Sequence, residues 1–207
     1  MSIFPFLKLV SSIFLLLLKE ILITSRSIQQ HDENYYSLDS NWVNYFENYR
    51  VISIPNNYTK LSNYLTSVVP TAIILSGGGD IEANKFSKNF PDLKREEVEE
   101  ALIKYGINNN IPIVAICRGM QKIMTYLSKN IIFTENPVKI KEYYLLDECI
   151  TEEAFVGNKR TCFNDYSIKI DNEISNNWHI LCSNKQKNLL SAKHKKFKIL
   201  CFIWHPE

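Results

Sequence analysis

The chain has 207 residues, of which 45% are hydrophobic and 12% aromatic, enough for one sizeable core and one domain. Its 24 basic and 22 acidic residues leave a net charge of +2, so it lacks the charge footprint of a nucleic-acid-binding protein. Its five cysteines form no C-x-x-C pair and show no metal-ligand spacing. We therefore expect no metal site and a reducing, cytoplasmic setting.

The N-terminal segment, residues 1–19, is apolar but is interrupted by Lys8. About ten uninterrupted apolar residues follow Lys8, fewer than the roughly 20 of a membrane span. No small-residue cleavage site precedes Glu20. The segment is a weak membrane anchor, a buried helix, or an extended start ahead of the domain. We favour the extended start, which makes 20–207 the folded domain and a membrane association unexpected.

Strands and helices alternate along the rest of the chain. Apolar, β-branched runs predict strands at about 20–25, 50–54, 71–75, 111–116, 130–134 and 198–203. Apolar residues at helical spacing predict helices, most clearly at 42–49, 95–105 and 118–127. This alternation predicts an α/β fold, a mostly parallel sheet with helices on both faces, with active groups at the carboxyl ends of its strands.

In 92–105, apolar residues recur near one face and acidic residues occupy the other, which predicts an amphipathic helix; the apolar residues are Leu93, Val98, Leu102 and Tyr105. Residues 135–195 are irregular and rich in Asn, Lys and Glu. We expect short antiparallel strands and substrate-facing loops there.

Cys117 stands where a predicted strand becomes a predicted helix. The apolar run 111–116 precedes it, Arg118 and Gly119 turn the chain, and apolar residues at helical spacing follow. The unpaired N–H groups of a helix N-terminus favour a thiolate and can hold an oxyanion. By itself, the pattern is equally consistent with a cysteine that is a small core residue.

The end of the chain supplies a partner for that thiol. The predicted strand 198–203 is followed by Trp204, His205, Pro206 and Glu207. A thiol nucleophile needs a base, and the base needs a third group that fixes its tautomer. His205 and Glu207 can fill these roles, with Pro206 stiffening the link. The weaker alternative is a solvated histidine and glutamate at a frayed terminus.

Three glycines, Gly77 to Gly79, follow the predicted strand 71–75. A phosphate-binding loop would need G-x-G-x-x-G or G-K-[ST], and neither is present. Glycine lets backbone approach a substrate closely, which favours an oxyanion donor. An ordinary tight turn is the alternative.

In this order, the glycine loop, the Ala-Ile-Cys-Arg-Gly-Met-Gln run around Cys117 and the final Trp-His-Pro-Glu resemble the class I glutamine amidotransferases. Within them, the γ-glutamyl-hydrolase-like branch is the most similar. The resemblance implies a single flavodoxin-like domain that needs no cofactor. It implies Cys117 as nucleophile, His205 as base and Glu207 as the orienting partner.

The resemblance also implies substrate contacts. The backbone N–H groups of Gly78 and Arg118 would form the oxyanion hole, and Gln121 would help to hold the glutamyl group. Related hydrolases carry a Val-Asn-Ser-aromatic-His-His type segment, and here Asn164 and Asp165 replace the paired histidines. Asp165 either binds the α-ammonium of a γ-glutamyl group or caps a turn.

The N-terminal part of the domain, residues 20–56, resembles small bacterial amidohydrolases linked to phosphoramidate-modified capsular sugars. That group acts on a γ-glutamyl phosphoramidate carried by cytidine diphosphate. A loop and a helix packed on the sheet would explain the same residues. The implied function is a cysteine-dependent hydrolase of a small-molecule γ-glutamyl amide that releases glutamate. The alternative is a glutaminase component that delivers ammonia to a separate synthetase partner.

Overall fold

A computed structural model of the protein describes residues 19–86, 90–128, 130–135, 166–183 and 186–205. Its strands are β1 (Glu20–Thr24), β2 (Arg26–Gln30), β3 (Glu33–Ser37), β4 (Arg50–Ile54), β5 (Ala72–Leu75), β6 (Ile113–Ile116), β7 (Phe133–Glu135), β8 (Tyr166–Lys169), β9 (Trp178–Ser183), β10 (Asn188–His194) and β11 (Ile199–Phe202). Its helices are α1 (Asn41–Tyr45), α2 (Tyr58–Ser67), α3 (Leu93–Asn108), α4 (Arg118–Leu127) and α5 (Asn172–Asn177).

Nine of these strands form one mixed sheet in the order β4–β1–β5–β6–β11–β10–β8–β7, with β9 paired to β10. The first five run parallel to their neighbours. The remaining pairs are antiparallel. The predicted α/β fold is confirmed: a parallel core is continued by the antiparallel strands expected within 135–195.

The inner parallel strands β1, β5, β6 and β11 are mostly buried, as their continuous apolar runs predict, whereas only Ile54 of the edge strand β4 is buried. Helix α4 packs on β5, β6 and β11, and it also contacts α3, which in turn contacts α2. Across the described ranges, no helix has both the length and the apolar character that crossing a membrane requires. Of the predicted N-terminal extension, residues 1–18 lie outside the described residues.

Several predicted boundaries agree closely with the structure. Strand β4 and helix α4 match the predicted 50–54 and 118–127. Helix α1 ends earlier than predicted because Phe46 leaves the helical conformation, with φ −110° and ψ 42°. Helix α3 is longer than predicted, and it begins where the Asp92 side chain accepts a hydrogen bond of 3.0 Å from the Arg95 backbone N–H.

The sequence reasoning missed helices α2 and α5 and the strands β2 and β3. Helix α2 has no side-chain cap and buries only Leu61. Strands β2 and β3 form a separate antiparallel hairpin. Its turn is made by His31 and Asp32, which have φ 51° and 62°. Two successive positive φ values suit a tight hairpin turn, but neither residue is the glycine that normally marks one.

The predicted division of α3 into an apolar and an acidic face is only partly correct: Glu97 and Glu100 are exposed, but Glu96 is buried. Leu93 is 50% exposed, whereas Glu99 is fully buried and Arg95 is 2% exposed. Val98 and Leu102 are buried as predicted. The helix buries Glu99 because two guanidinium groups neutralise its carboxylate, a compensation that periodicity alone does not show.

Candidate active site

Cys117 occupies a strained elbow between β6 and α4. Its φ is 50° and its ψ is −108°, a conformation that residues with a side chain rarely adopt. The Cys117 N–H donates a 2.7 Å hydrogen bond to the Phe202 carbonyl at the end of β11, which holds the elbow in place. Cys117 as a whole is 9% exposed, so most of the residue is enclosed.

His205 lies beside this elbow. It is exposed and follows β11, which pairs with β6 in parallel. A Cβ on Gly77 would stand 3.0 Å from His205 Nε2 and 3.3 Å from Cys117 Cβ. The imidazole and the cysteine side chain therefore both lie next to Gly77, where only a glycine leaves room for the ring. The structure thus brings Cys117 and His205 together.

The glycine loop follows β5, the strand next to β6. Gly78 and Gly79 have φ 83° and 80°, which favour glycine. A Cβ on Gly119 would collide with the carbonyl of Leu75, so the first turn of α4 packs directly on the end of β5. This close packing sets the cysteine elbow against the glycine loop.

Arg118 and Gln121 belong to the first turn of α4. The Arg118 side chain is buried, and its Nε donates a 3.1 Å hydrogen bond to the Asp80 carbonyl. Gln121 is buried, and its N–H donates a 3.2 Å hydrogen bond to the Cys117 carbonyl. Both residues thus adjoin the elbow, and their contacts with a substrate stay predictions. Asn164, Asp165 and Glu207 lie outside the described residues, and their roles stay predictions.

A buried ionic cluster that the sequence reasoning missed lies under the glycine loop. The Glu99 carboxylate accepts hydrogen bonds from Arg95 Nε at 2.8 Å and from Arg118 Nη1 at 2.5 Å. Thr24 Oγ1 also donates to Glu99, at 3.3 Å, and accepts from the Ser76 N–H at 3.0 Å. The only sequence signal was the i, i+4 spacing of Arg95 and Glu99, which is also common on exposed helix surfaces.

The charges of this cluster support one another. Burial lowers the pKa of Arg95 to about 10, helped by the nearby Arg118, so Arg95 is still a cation at neutral pH. Burial by itself raises the pKa of the Glu99 carboxyl, but Arg118 and Arg95 outweigh it and hold that pKa below its ordinary value. The cluster is therefore ionised at neutral pH.

The cluster continues along α3 to a second, less buried group. Lys122 Nζ donates to Glu96 and to Glu100, each at 2.7 Å. Glu100 is about half exposed, with 51% of its side chain accessible. The second group contacts the first through Arg118, which approaches Glu96 to 3.9 Å.

Comparison with known proteins agrees with this arrangement. A family model, glutamine amidotransferase class-I, matches residues 31–207, which include the glycine loop, the elbow and His205. The chain belongs to the class-I glutamine amidotransferase family. The sequence resemblance to this family is thereby confirmed.

This family member is similar to a curated hydrolase and to solved structures that share its fold. A curated γ-glutamyl-CDP-amidate hydrolase from Campylobacter jejuni is 30% identical over 136 residues, which cover 66% of this chain and 62% of that protein. The match thus spans less than two thirds of that relative. A protein from Thermoplasma acidophilum that is assigned to a GMP synthase shares the fold, with 17% identity, a TM-score of 0.62 and coverage of 91% and 84%. A glutamine amidotransferase from Thermotoga maritima does so with 14% identity, a TM-score of 0.58 and coverage of 90% and 75%.

Proposed function

We propose that this protein is a cysteine-dependent amidohydrolase that cleaves a γ-glutamyl amide-type bond in a small molecule and releases glutamate. The observation that carries the proposal is the approach of Cys117 and His205 to a single point above Gly77. A strained elbow, a neighbouring imidazole and a glycine loop are the parts that nucleophilic acyl transfer requires.

In the first half of the proposed reaction, the Cys117 sulfur attacks the γ-carbonyl carbon and its proton passes to His205. The carbonyl oxygen becomes an oxyanion, which the N–H groups of Gly78 and Arg118 stabilise by hydrogen bonds. His205 then gives the proton to the leaving nitrogen, the C–N bond breaks and a γ-glutamyl thioester remains on Cys117.

In the second half, His205 takes a proton from water, and the resulting hydroxide attacks the thioester carbonyl. The C–S bond breaks, glutamate leaves and the proton returns to the Cys117 sulfur. Glu207 holds the imidazole in the tautomer that both steps need. Gln121, Asn164 and Asp165 bind the glutamyl group in this proposal.

The proposed leaving group is an anionic phosphoramidate, as in γ-glutamyl-CDP-amidate, which would place the enzyme in capsular phosphoramidate biosynthesis. The C. jejuni relative, named for that substrate, supports this choice. So does the exposed residue Arg26, whose Cδ lies 3.2 Å from the position of a Cβ on Gly78. A guanidinium beside the oxyanion loop suits phosphate oxygens. The free thiols of Cys117 and Cys201 support a reducing, cytoplasmic setting.

Glutamate release by the purified protein tests the function. Glutamine, an uncharged γ-glutamyl amide and γ-glutamyl-CDP-amidate are compared, and we expect the highest kcat/KM for the last. Arg26→Met should lower kcat/KM for this anionic substrate by about 10- to 100-fold, since a hydrogen bond to a charged group is lost. It should leave kcat/KM for the uncharged amide unchanged. Lys104→Met, which removes an exposed cation on α3, is the matched control.

Three results of the same assay would count against the proposal. No glutamate release from any of the three substrates would refute the hydrolase function. Release from glutamine that requires an added synthetase would establish the alternative, a glutaminase component that delivers ammonia to a partner. Equal losses for both substrates in Arg26→Met would refute the anionic leaving group.

A further inference from the structure

We propose that Arg95 is a positioning residue that aligns the oxyanion hole, and that Glu99 ties it to the residue after the nucleophile. The inference rests on the proposed function, because it concerns how the oxyanion donors are held. Neither side chain is assigned a contact with substrate.

Arg95 binds three consecutive carbonyl groups of the glycine loop. Its Nη2 donates to the carbonyl oxygens of Ser76 and Gly77 at 2.7 and 3.2 Å, and its Nη1 donates to that of Gly78 at 2.7 Å. Nη2 also bonds the Ser76 hydroxyl at 3.0 Å. The planar guanidinium can satisfy such a row of acceptors, which a single ammonium cannot.

These contacts set the direction of the proposed oxyanion donor. The Gly77 carbonyl and the Gly78 N–H belong to one planar trans peptide and point in opposite directions. When the carbonyl is held towards Arg95, the N–H is turned away from it. A glycine loop can otherwise rotate this peptide at little steric cost, because glycine tolerates φ of either sign. Arg95 opposes the rotation, which would break its hydrogen bonds.

Glu99 extends this restraint to the second donor. Its two oxygens bind Arg95 Nε at 2.8 Å and Arg118 Nη1 at 2.5 Å. The peptide between Cys117 and Arg118 is oriented by the hydrogen bond from the Gln121 N–H to the Cys117 carbonyl, so the Arg118 N–H points out of the helix N-terminus. The Glu99 carboxylate thus links Arg95, which orients the Gly78 N–H, to Arg118, whose own backbone N–H is the second proposed donor. Buried ion pairs add little net stability, which favours a positional role.

Arg95→Lys tests the proposal, because it keeps the positive charge but cannot span all the acceptors. We measure kcat and KM for glutamate release, Tm, and the rate at which iodoacetamide alkylates Cys117, followed by mass spectrometry. Alkylation occurs at a saturated carbon and forms no oxyanion. We expect kcat to fall by about 10- to 100-fold, since a displacement of about 1 Å costs about 100-fold. KM and the alkylation rate should stay within about twofold.

Two further variants complete the design. Glu99→Asp retains the charge with a shorter reach and should reproduce the loss in kcat at unchanged alkylation rate. Glu100→Gln, one residue along the same helix, removes a contact to Lys122 that does not reach the loop, and it should behave as the wild type.

The outcomes separate this inference from the function on which it rests. An active wild type with an equally active Arg95→Lys variant refutes the positioning role alone. Alkylation that slows in parallel with kcat also refutes it, because the variant would then disturb the whole site. A wild type that releases no glutamate refutes the function itself. Should Arg95→Lys fail to fold, the kcat and alkylation rate of Glu99→Asp decide by the same criteria.

Discussion

Replacement of Gly77 by alanine should strongly reduce the proposed hydrolase activity while leaving the fold intact. Gly77 is not among the positive-φ glycines of the described chain, which are Gly78 and Gly79, so its backbone tolerates a side chain. The new Cβ, however, would stand 3.0 Å from His205 Nε2 and closer still to Cε1. The methyl group and the imidazole cannot both keep their places.

The expected loss follows from these distances. Nonbonded heavy atoms prefer separations of about 3.5–4.0 Å, and Cε1 is the ring atom nearest to the new Cβ, so the His205 ring must move by roughly 1–1.5 Å. Because His205 is exposed, its ring can shift without disturbing the core. A displacement of about 1 Å in a catalytic group costs about 100-fold in rate. We therefore expect kcat/KM of Gly77→Ala to fall by about 100-fold with little change in Tm.

The assay compares glutamate release with thermal unfolding, and Gly106→Ala is the control. A Cβ on Gly106 would lie 2.8 Å from Ile113 Cδ1 and 3.2 Å from Ile73 Cδ1, inside the core. Overpacking there should destabilise the fold by about 1–3 kcal/mol but leave kcat of the folded protein unchanged. Gly77→Ala should thus lose activity with little change in Tm, whereas Gly106→Ala should lose stability with little change in kcat. A Gly77→Ala variant with kcat/KM within twofold of the wild type would refute the proposed position of the base.

Three further predictions concern the remaining groups. Cys117→Ala should lower the rate of glutamate release by several orders of magnitude. Cys201→Ala, which alters a fully buried thiol, should keep the wild-type rate. An active Cys117→Ala variant and an inactive Cys201→Ala variant would overturn the assignment of the nucleophile. Glu207→Gln should lower kcat/KM at unchanged Tm, because the tautomer of His205 is less well fixed, and an unchanged kcat/KM would reduce the triad to a dyad. Burial raises the pKa of the Glu99 carboxyl, but two guanidinium groups outweigh it and hold that pKa below its ordinary value. The ionised carboxylate therefore stabilises the fold at pH values above the ordinary pKa, and this stabilisation is lost as the pH falls through the lowered pKa. Thermal unfolding between about pH 5 and pH 3 should therefore show a steeper fall in Tm for the wild type than for Glu99→Gln, and equal slopes would contradict this.

Local patterns in the sequence predicted the elements that carry the site. The apolar run before Cys117 and the periodic run after it predicted β6 and α4, and the structure confirms both. Their success has a physical reason: a buried parallel strand and a helix packed on it need continuous or periodic apolar residues. The order of the glycine loop, the elbow and the final histidine was sufficient to indicate the family.

The tertiary structure decided which charges are buried. Arg95 and Glu99 have the spacing of an ordinary surface pair, and only the arrangement of α3 beside α4 shows that Arg118 completes a cluster. The approach of His205 to Gly77 is equally invisible in the sequence, since 128 positions separate them. Periodicity reports whether a position suits an apolar environment, but it does not report which distant group compensates a buried charge. That compensation depends on distances between elements, and these are set only when the sheet and its helices assemble.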